Sequence, residues 1–454
     1  MQPKTLLDGR GNPIRLGYAA ARPSWRKTED ALDRTPITST EEKVLSHGSR
    51  IELLSTLRDL ERNNPVAKAI TQVFVSNLGH CHFRCNHSNT AELKDQVMNR
   101  YFRNAEISGY GMKKILGAII TDLLLAGEVF VLLTKGGSIQ LIPSERVGSS
   151  YNSSEAREGE SDGIVLDRYG MPKAYRIARV EAGAVNYHKG SYIPAKDIIH
   201  ISNTSRIGQI RGTPMLAAAT QTLEDIQAVQ AAYTAKVKTS SALTGFITSN
   251  QPYSARWDGN EFDDEPMRST YTKLYNGSIL LLEQGESVET IQGGSIDGVD
   301  RFLIQLISFA CSSVGITHEN LVGWSNASFS SSTATRAVTN HRFSQLREFM
   351  EESFLRRLIR WRQFKYEADG TLPQAEDEYE RDGYSLQWTT SPTLDRRKDA
   401  QTDAIQLDNN LASHTRIFAE NGLDFEAEAQ QMIKDKKLIA DLTNAAGIGE
   451  DSQS

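Results

Sequence analysis

Residues Pro214-Met215-Leu216-Ala217-Ala218-Ala219-Thr220-Gln221-Thr222-Leu223-Glu224-Asp225-Ile226 open a stretch that reads as one long amphipathic helix as far as Thr239. Met215, Ala219, Leu223, Ile226, Tyr233 and Val237 recur along it at helical spacing. What lies on either side decides the architecture. Downstream, Leu243 to Gln292 holds short strand-like runs, Gly245–Thr248 and Ser278–Leu282, around an acidic loop. In that loop Asp258, Glu261, Asp263, Asp264 and Glu265 outnumber Arg256 and Arg268, a net −3 over residues 255–270. A second helical pattern then runs from about Val299 to Val314. Two helices flanking a compact insert must run antiparallel, so this region reads as a stalk with a small module at its tip.

Upstream, residues 1–49 are rich in Arg, Pro, Thr and Gly without a sustained period and read as an extended arm. Helical spacing begins at Ile51, Leu54, Leu57 and Leu60, stops at Asn63-Asn64-Pro65, and resumes through Val66, Ile70 and Val73. Pro65 suits the first turn of that second helix, where its missing N–H costs nothing. A further helix from about Tyr110 to Ala126 is ended by Gly127, and Glu128-Val129-Phe130-Val131-Leu132-Leu133 reads as a buried strand. Shorter strands follow at Ser138–Ile142, Gly163–Leu166 and Ala174–Val180, with an apolar run at Asp197–Ile201 and a polar surface loop at Tyr151–Asp162. Beyond the stalk, His318–Ser332 reads as a loop, and Thr335 to Tyr366 as a third long helix with Phe343, Leu346, Met350, Phe354, Leu358 and Trp361 on one stripe. Residues 395–454 are helical in pattern and acidic, with a net charge of −5. The fold class is therefore α+β.

Composition narrows the function. The chain has 454 residues, 39% hydrophobic and 24% charged, an ordinary globular balance. Its formal charge of −6 and pI near 5.9 argue against a protein held on nucleic acid by a basic surface. Three cysteines, Cys81, Cys85 and Cys311, give no disulfide framework and fit a reducing compartment. Met1-Gln2-Pro3-Lys4 lacks the apolar core of a secretory signal. The most apolar stretch, Phe302 to Ile316, is interrupted by Gln305, Ser308, Ser312 and Ser313 and falls short of the roughly 20 residues of a membrane span. The expectation is a soluble intracellular product with no membrane partner.

Several clusters invite a chemical reading and support a plainer one. His80-Cys81-His82-Phe83-Arg84-Cys85-Asn86-His87 holds enough ligand types for zinc, but the second ligand pair that structural zinc sites need is missing. The alternation of Cys81, Phe83 and Cys85 fits one face of a strand. The third helix carries Arg336, Arg342, Arg347, Arg356, Arg357, Arg360, Arg362 and Lys365 against four acids, a net +4; a solvated face, or pairing with the acidic tail of the same or a neighbouring subunit, explains it better than a DNA-binding face, and the pairing is the expectation. Asp263, Asp264 and Glu265 are consecutive and do not converge as catalytic or metal-binding pairs do. Ser330-Ser331-Ser332 with His341 matches no hydrolase signature, and no phosphate-cradling Gly-rich loop with Lys and Ser/Thr occurs. No catalytic residue, metal or cofactor is expected.

Six segments, in order, resemble the portal proteins of lambda-type tailed bacteriophages. Arg58-Asp59-Leu60-Glu61-Arg62-Asn63-Asn64-Pro65 resembles their N-terminal helix junction, and Ala126-Gly127-Glu128-Val129-Phe130 their helix-to-strand step. Ile193-Pro194-Ala195-Lys196-Asp197-Ile198-Ile199-His200 is similar to the last wing strand, and Gly208-Gln209-Ile210-Arg211-Gly212-Thr213-Pro214-Met215 to the turn before the first stem helix. Phe309-Ala310 through Val314-Gly315-Ile316, with Asn320-Leu321-Val322-Gly323, resembles the helix end before the tunnel loop. Asn326-Ala327-Ser328-Phe329-Ser330-Ser331 resembles the loop itself, while the acidic loop at 258–265 does not align with the family pattern.

The resemblance implies an arm (1–49), a wing (50–212), a helical stem (213–241 and 294–316) and a small α/β clip (242–293). It also implies a tunnel loop (317–334), a long wing helix with a return strand (335–394) and a helical crown (395–454). By the same resemblance the protein is no enzyme but a dodecameric ring at one capsid vertex. The ring would pass double-stranded DNA during packaging and ejection, in the virion and, during assembly, in the host cytoplasm. Implied partners are the large terminase subunit, head-tail connector or adaptor proteins, and the major capsid and scaffolding proteins. Trp324, Ser325, Asn326, Ala327, Ser328, Phe329, Ser330, Ser331 and Ser332 would face the DNA channel, and Arg256, Asp258, Glu261, Asp263, Asp264 and Glu265 would serve docking at the clip. Twelve such chains carry a formal charge of about −72, which repels phosphate and lets DNA slide rather than stick. The competing reading is a metal-dependent nuclease or hydrolase acting on phage DNA; it needs dispersed carboxylate and His ligands, and no such set assembles from the sequence.

Overall fold

The computed structural model describes residues 47–85, 90–149, 157–242, 246–249, 286–289, 298–322, 329–375, 381–389, 396–420 and 425–445. The chain divides into two compact units, a smaller one formed by Thr222–Ile307 and a larger one formed by the rest. No helix among the described residues is long and apolar enough to cross a membrane.

The larger unit opens with α1 (His47–Asn63), α2 (Pro65–Leu78), β1 (Cys81–Cys85), α3 (Ala91–Arg103) and α4 (Met112–Leu125). Strands β2 (Glu128–Leu133), β3 (Ile139–Pro143), β4 (Glu160–Ser161), β5 (Ile164–Leu166), β6 (Pro172–Glu181), β7 (Ala184–Pro194) and β8 (Ile198–Ser202) follow. Helix α5 (Thr220–Ala242) carries the chain out into the smaller unit, which holds β9 (Phe246–Ser249) and β10 (Glu286–Glu289). Helix α6 (Val299–Ser313) brings it back, and α7 (Glu319–Val322) and α8 (Phe329–Met350) come next. A π-turn at Glu351–Leu355 joins α8 to α9 (Arg356–Ala368), then β11 (Tyr384–Trp388), α10 (Arg396–Asp408), α11 (His414–Glu420) and α12 (Phe425–Ala445).

The break between α1 and α2 falls where the Asn-Asn-Pro signal put it. The Asn64 side-chain oxygen accepts from the N–H groups of Val66 (2.9 Å) and Ala67 (3.2 Å), and Pro65 is the first helical residue. Helix α4 is apolar around much of its circumference and is buried at Ile115, Ile119 and Leu123 and also at Leu116, Ile120 and Leu124. Strand β1 buries Cys81, Phe83 and Cys85 and exposes His82. It pairs antiparallel with β11, Phe83 opposite Leu386. Its other edge is occupied by side chains of α3: Asn99 both donates to the Phe83 carbonyl (2.9 Å) and accepts from the Phe83 N–H (3.0 Å), and Asp95 accepts from the Cys85 N–H (2.6 Å). An exposed strand edge is thereby closed by helix side chains.

Two sheets form the centre of the larger unit, a three-stranded one in the order β3-β2-β8 and a meander β4-β5-β6-β7. Phe130, Ile142, Val147, Ile164, Tyr175, Ile177 and Ile198 from both sheets make one core. Sequence periodicity missed β7 and α3, because β7 alternates small and polar residues at partial exposure and α3 mixes Lys, Asp, Gln and Asn into its stripe.

The third helical stretch departs from its expected form in two ways. It begins at Phe329, so Phe329–Ser332 form helix rather than loop, and it contains the π-turn. The extra residue in that turn puts Phe354 and Leu355 inside together and leaves Trp361 half-exposed, while Phe343, Leu346, Met350 and Leu358 are buried as the stripe requires. In the smaller unit β9 pairs antiparallel with β10, Ile247 opposite Val288. The expected strand at Ser278–Leu282 lies outside the described residues, and β10 was not foreseen.

Candidate functional site

Three of the sequence segments meet at one buried charge cluster. Glu128 stands at the start of β2, immediately after the α4 C-terminus, and is fully buried. Its carboxylate accepts from Arg211 Nε (2.9 and 3.1 Å) and Arg211 Nη2 (2.5 Å), the Gly212 N–H (2.9 Å) and the Ser144 hydroxyl (2.6 Å). His200 Nε2 lies 3.1 Å from it, with the imidazole stacked on Phe130 at 4.3 Å. Arg211 also donates to the carbonyls of Val147 (3.0 Å) and Asp162 (2.5 Å) and pairs with the Asp162 carboxylate at 3.2 Å. The first turn of α1 completes the cluster: Arg50 contacts Asp162 (2.8 Å) and donates to Ser144 Oγ (2.8 Å), and His47 Nδ1 is 2.5 Å from Asp162.

Charge balance makes this arrangement tenable so far from water. Burial opposes ionisation of Glu128, but Arg211, His200 and Arg50 outweigh it and hold the carboxyl well below the usual carboxylate range. Burial likewise opposes ionisation of Asp162, and Arg211, His47 and Arg50 reverse it. Arg211 loses hydration yet is driven further toward its charged form by Glu128 and Asp162. Both carboxylates are saturated with donors, so neither is open to an outside substrate. The cluster does mechanical work: it clamps residues 209–213, ahead of the turns that lead into α5, onto the α4–β2 junction.

Close backbone approach reinforces the clamp. Gly127 has φ 82°, in the left-handed region, and a Cβ there would lie 2.3 Å from the Thr213 carbonyl carbon. A Cβ on Gly212 would sit 2.1 Å from the Gly127 oxygen. The glycines of the two segments are therefore a matched pair.

The segment expected to line the channel is described only at its base. Trp324, Ser325, Asn326, Ala327 and Ser328 lie outside the described residues, whereas Phe329, Ser330, Ser331 and Ser332 belong to α8. Before the gap, Gly315 (φ 80°) ends α6 and Ile316 is buried. Arg342 of α8 donates to the Val314 carbonyl (3.2 Å), and Asn320 accepts from Thr317 (2.6 Å) and Thr339 (3.3 Å). Both ends of the 323–328 segment are thus tied to α8. The clip residues Arg256, Asp258, Glu261, Asp263, Asp264 and Glu265 also lie outside the described residues.

Four basic residues of α8 and α9 have partners within the larger unit. Arg342, Arg347, Arg357 and Lys365 donate to main-chain carbonyls. Arg347 caps the end of α2 at Asn77 (2.9 Å) and Leu78 (3.1 Å). A carbonyl at a helix end carries partial negative charge, and a guanidinium satisfies two at once.

Sequence reasoning did not find His47, Arg50 or Asp162 as cluster members, since neither periodicity nor a motif marks them. Glu128 carried a legible signal: a lone carboxylate abutting the apolar run Val129–Leu133 must either cap or be paired.

The family description "Phage portal protein, lambda family" matches residues 30–347, and the chain belongs to that family. As a phage portal protein it is a virion component and is structural rather than catalytic, which sets aside the nuclease reading. Among solved structures, a chain of the virion of native gene transfer agent (GTA) particle is 15% identical, with TM-score 0.44, 82% of this chain and 98% of that chain covered. A chain from the neck of the native GTA particle computed with C12 symmetry has TM-score 0.45 at 15% identity, covering 82% of this chain and 93% of that one. An HK97 family phage portal protein from Corynebacterium diphtheriae is 10% identical with TM-score 0.34, covering 62% and 84%. No curated protein matches this chain.

Proposed function

We propose that the chain closes into a dodecameric ring at one capsid vertex, the channel through which double-stranded DNA enters and leaves. Membership of the lambda portal family over residues 30–347 carries this reading. In it, residues 50–212 are the wing, α5 and α6 the stem, 242–293 the clip, 317–334 the tunnel loop, 335–394 the long wing helix with its return strand, and 395–454 the crown. The chain leaves the larger unit within α5 and re-enters within α6, so the smaller unit is an insertion bounded by helix on both sides, which supports the stem-and-clip assignment. Phe302, Ile304 and Phe309 of α6 are exposed in the single chain, as expected of a helix that neighbouring subunits cover. A heterologous interface that closes gives a ring.

The clip would dock the large terminase subunit during packaging and the head-tail connector afterwards, and the wing would meet capsid and scaffolding proteins. The small polar residues and the two aromatics of 324–332 suit contact with a sliding duplex, since base reading needs positioned side chains at base edges. Native mass spectrometry and imaging of the purified protein test the ring: a closed assembly near twelve copies is expected, and a strictly monomeric species at high concentration would refute it. Deleting Ser325–Ser332 should spare the ring and impair packaging or DNA retention; loss of the ring itself would remove the tunnel-loop assignment.

A further inference from the structure

In a chain of net charge −6, helix α9 is conspicuous: Arg356, Arg357, Arg360, Arg362 and Lys365 stand against a single acid, Glu367. That acid is already engaged, 2.8 Å from Arg381. The structure shows where the other charges go. Arg357 donates to the carbonyls of Ala195 (2.8 Å) and Lys196 (3.0 Å), and Lys365 to the carbonyl of Lys135 (2.5 Å). Arg362 lies over the rings of Tyr366 (3.9 Å) and Tyr101 (4.9 Å), against Gly137. These partners are neutral. They fix Arg357 and Lys365 in place without cancelling their charge, whereas Arg362 also feels the Asp369 carboxylate just past the end of α9.

The sheet topology gathers further cations at the same place. Leu132 at the end of β2 pairs with Ile198 at the start of β8, and Leu133 pairs with Ile139 at the start of β3. The β2–β3 turn carrying Lys135 and the short turn Ala195–Asp197 carrying Lys196 therefore lie at one end of the three-stranded sheet, where α9 meets both. Lys135 and Lys196 are exposed, and only their main-chain carbonyls are bound to α9. The acids beside these cations are Asp197 and, close to Arg362, Asp369. Trp361, with the Lys365 ammonium 5.2 Å from its ring, is half-exposed beside them.

We propose that this end of the wing sheet, with Lys135, Lys196, Arg357, Arg362 and Lys365, binds the phosphate backbone of double-stranded DNA without regard to sequence. Cations of α9 held on main-chain carbonyls, with exposed lysines on the two adjoining turns, suit a regular line of phosphates. No carboxylate-rich fork or deep pocket narrows the choice to a small anion. None of these residues belongs to the 324–332 segment that the proposed function assigns to the DNA channel, and the proposal rests on that reading only for the location of the channel. Because this chain is acidic overall, at −6, a local positive surface of this kind would hold duplex at the wing while the proposed channel stays non-adhesive.

The test uses the full-length assembled protein and a short fluorescent duplex of scrambled sequence, with affinity followed as salt is raised from roughly 50 mM. Lys135→Gln with Lys196→Gln keeps every tethering carbonyl and should lower the slope of log affinity against log salt by roughly 2, close to 0.9 per lost contact. Adding Arg357→Gln and Lys365→Gln should abolish binding at that salt. A slope unchanged in the double variant, or no duplex binding by the parent protein, would overturn the proposal. So would dissociation of subunits in the double variant, which would assign the surface to acidic groups of a neighbouring copy.

Discussion

Replacing Glu128 by Gln tests the clamp most directly. The substitution keeps the size and one acceptor oxygen but removes the charge that faces Arg211 and Arg50, both essentially buried. Arg211 would keep Asp162 at 3.2 Å, but Asp162 already serves Arg50 and His47, so two guanidinium groups would share one carboxylate. Leaving a buried charge uncompensated costs about 3–5 kcal/mol. The bidentate contact and the Gly212 N–H bond would weaken as well, so a loss toward the upper end is expected. Urea unfolding followed by near-UV circular dichroism measures it, alongside limited proteolysis at 203–213, the stretch the clamp immobilises. Glu128→Met with Arg211→Met removes both partners and should cost far less than the two single changes summed. A Glu128→Gln variant within about 0.5 kcal/mol of the parent, or strict additivity in the double, would refute the account of Glu128 as the central acceptor.

Acidity gives a second expectation with two opposite signs. Glu128 and Asp162 are depressed in the folded state, so their contribution is present above the ordinary carboxylate range and is lost as pH falls below it. Asp122 behaves in reverse: burial raises it to about 6, against the opposing pull of Arg58, so its ionised form strains the fold above that pH. Asp122→Asn should raise the melting temperature at pH 7 to 8 and make no difference near pH 4; a uniform effect across that range would contradict the burial argument. The three thiols supply a third expectation. Cys81, Cys85 and Cys311 are buried, burial pushes the Cys81 thiol far up and Cys311 to about 12, and none should react with an aromatic disulfide reagent until the chain is unfolded. Stoichiometric labelling of native protein would count against the packing of β1 and α6.

The amino-acid order by itself determined the local elements and their punctuation. Asn64-Pro65 set a helix boundary because the side chain and ring chemistry act within one turn. Gly127 ended α4 for a similarly local reason, and the alternation at Cys81–Cys85 made a strand of a would-be metal cluster. The helix–insert–helix order around 222–307 was legible too, since periodicity survives in any long amphipathic segment. Tertiary structure alone decided which charges meet. His47, Arg50, Glu128, Asp162 and Arg211 come from segments up to 164 positions apart (47 to 211), and nothing local distinguishes a buried arginine from a solvated one. The same holds for α8 and α9: their basic face was visible as composition, yet its carbonyl acceptors at Leu78, Lys135, Ala195 and Val314 appear only when helix ends and sheet turns are brought alongside. Local rules act through neighbouring dihedrals, whereas pairing in a low-dielectric interior depends on which distant groups the packed core excludes from water.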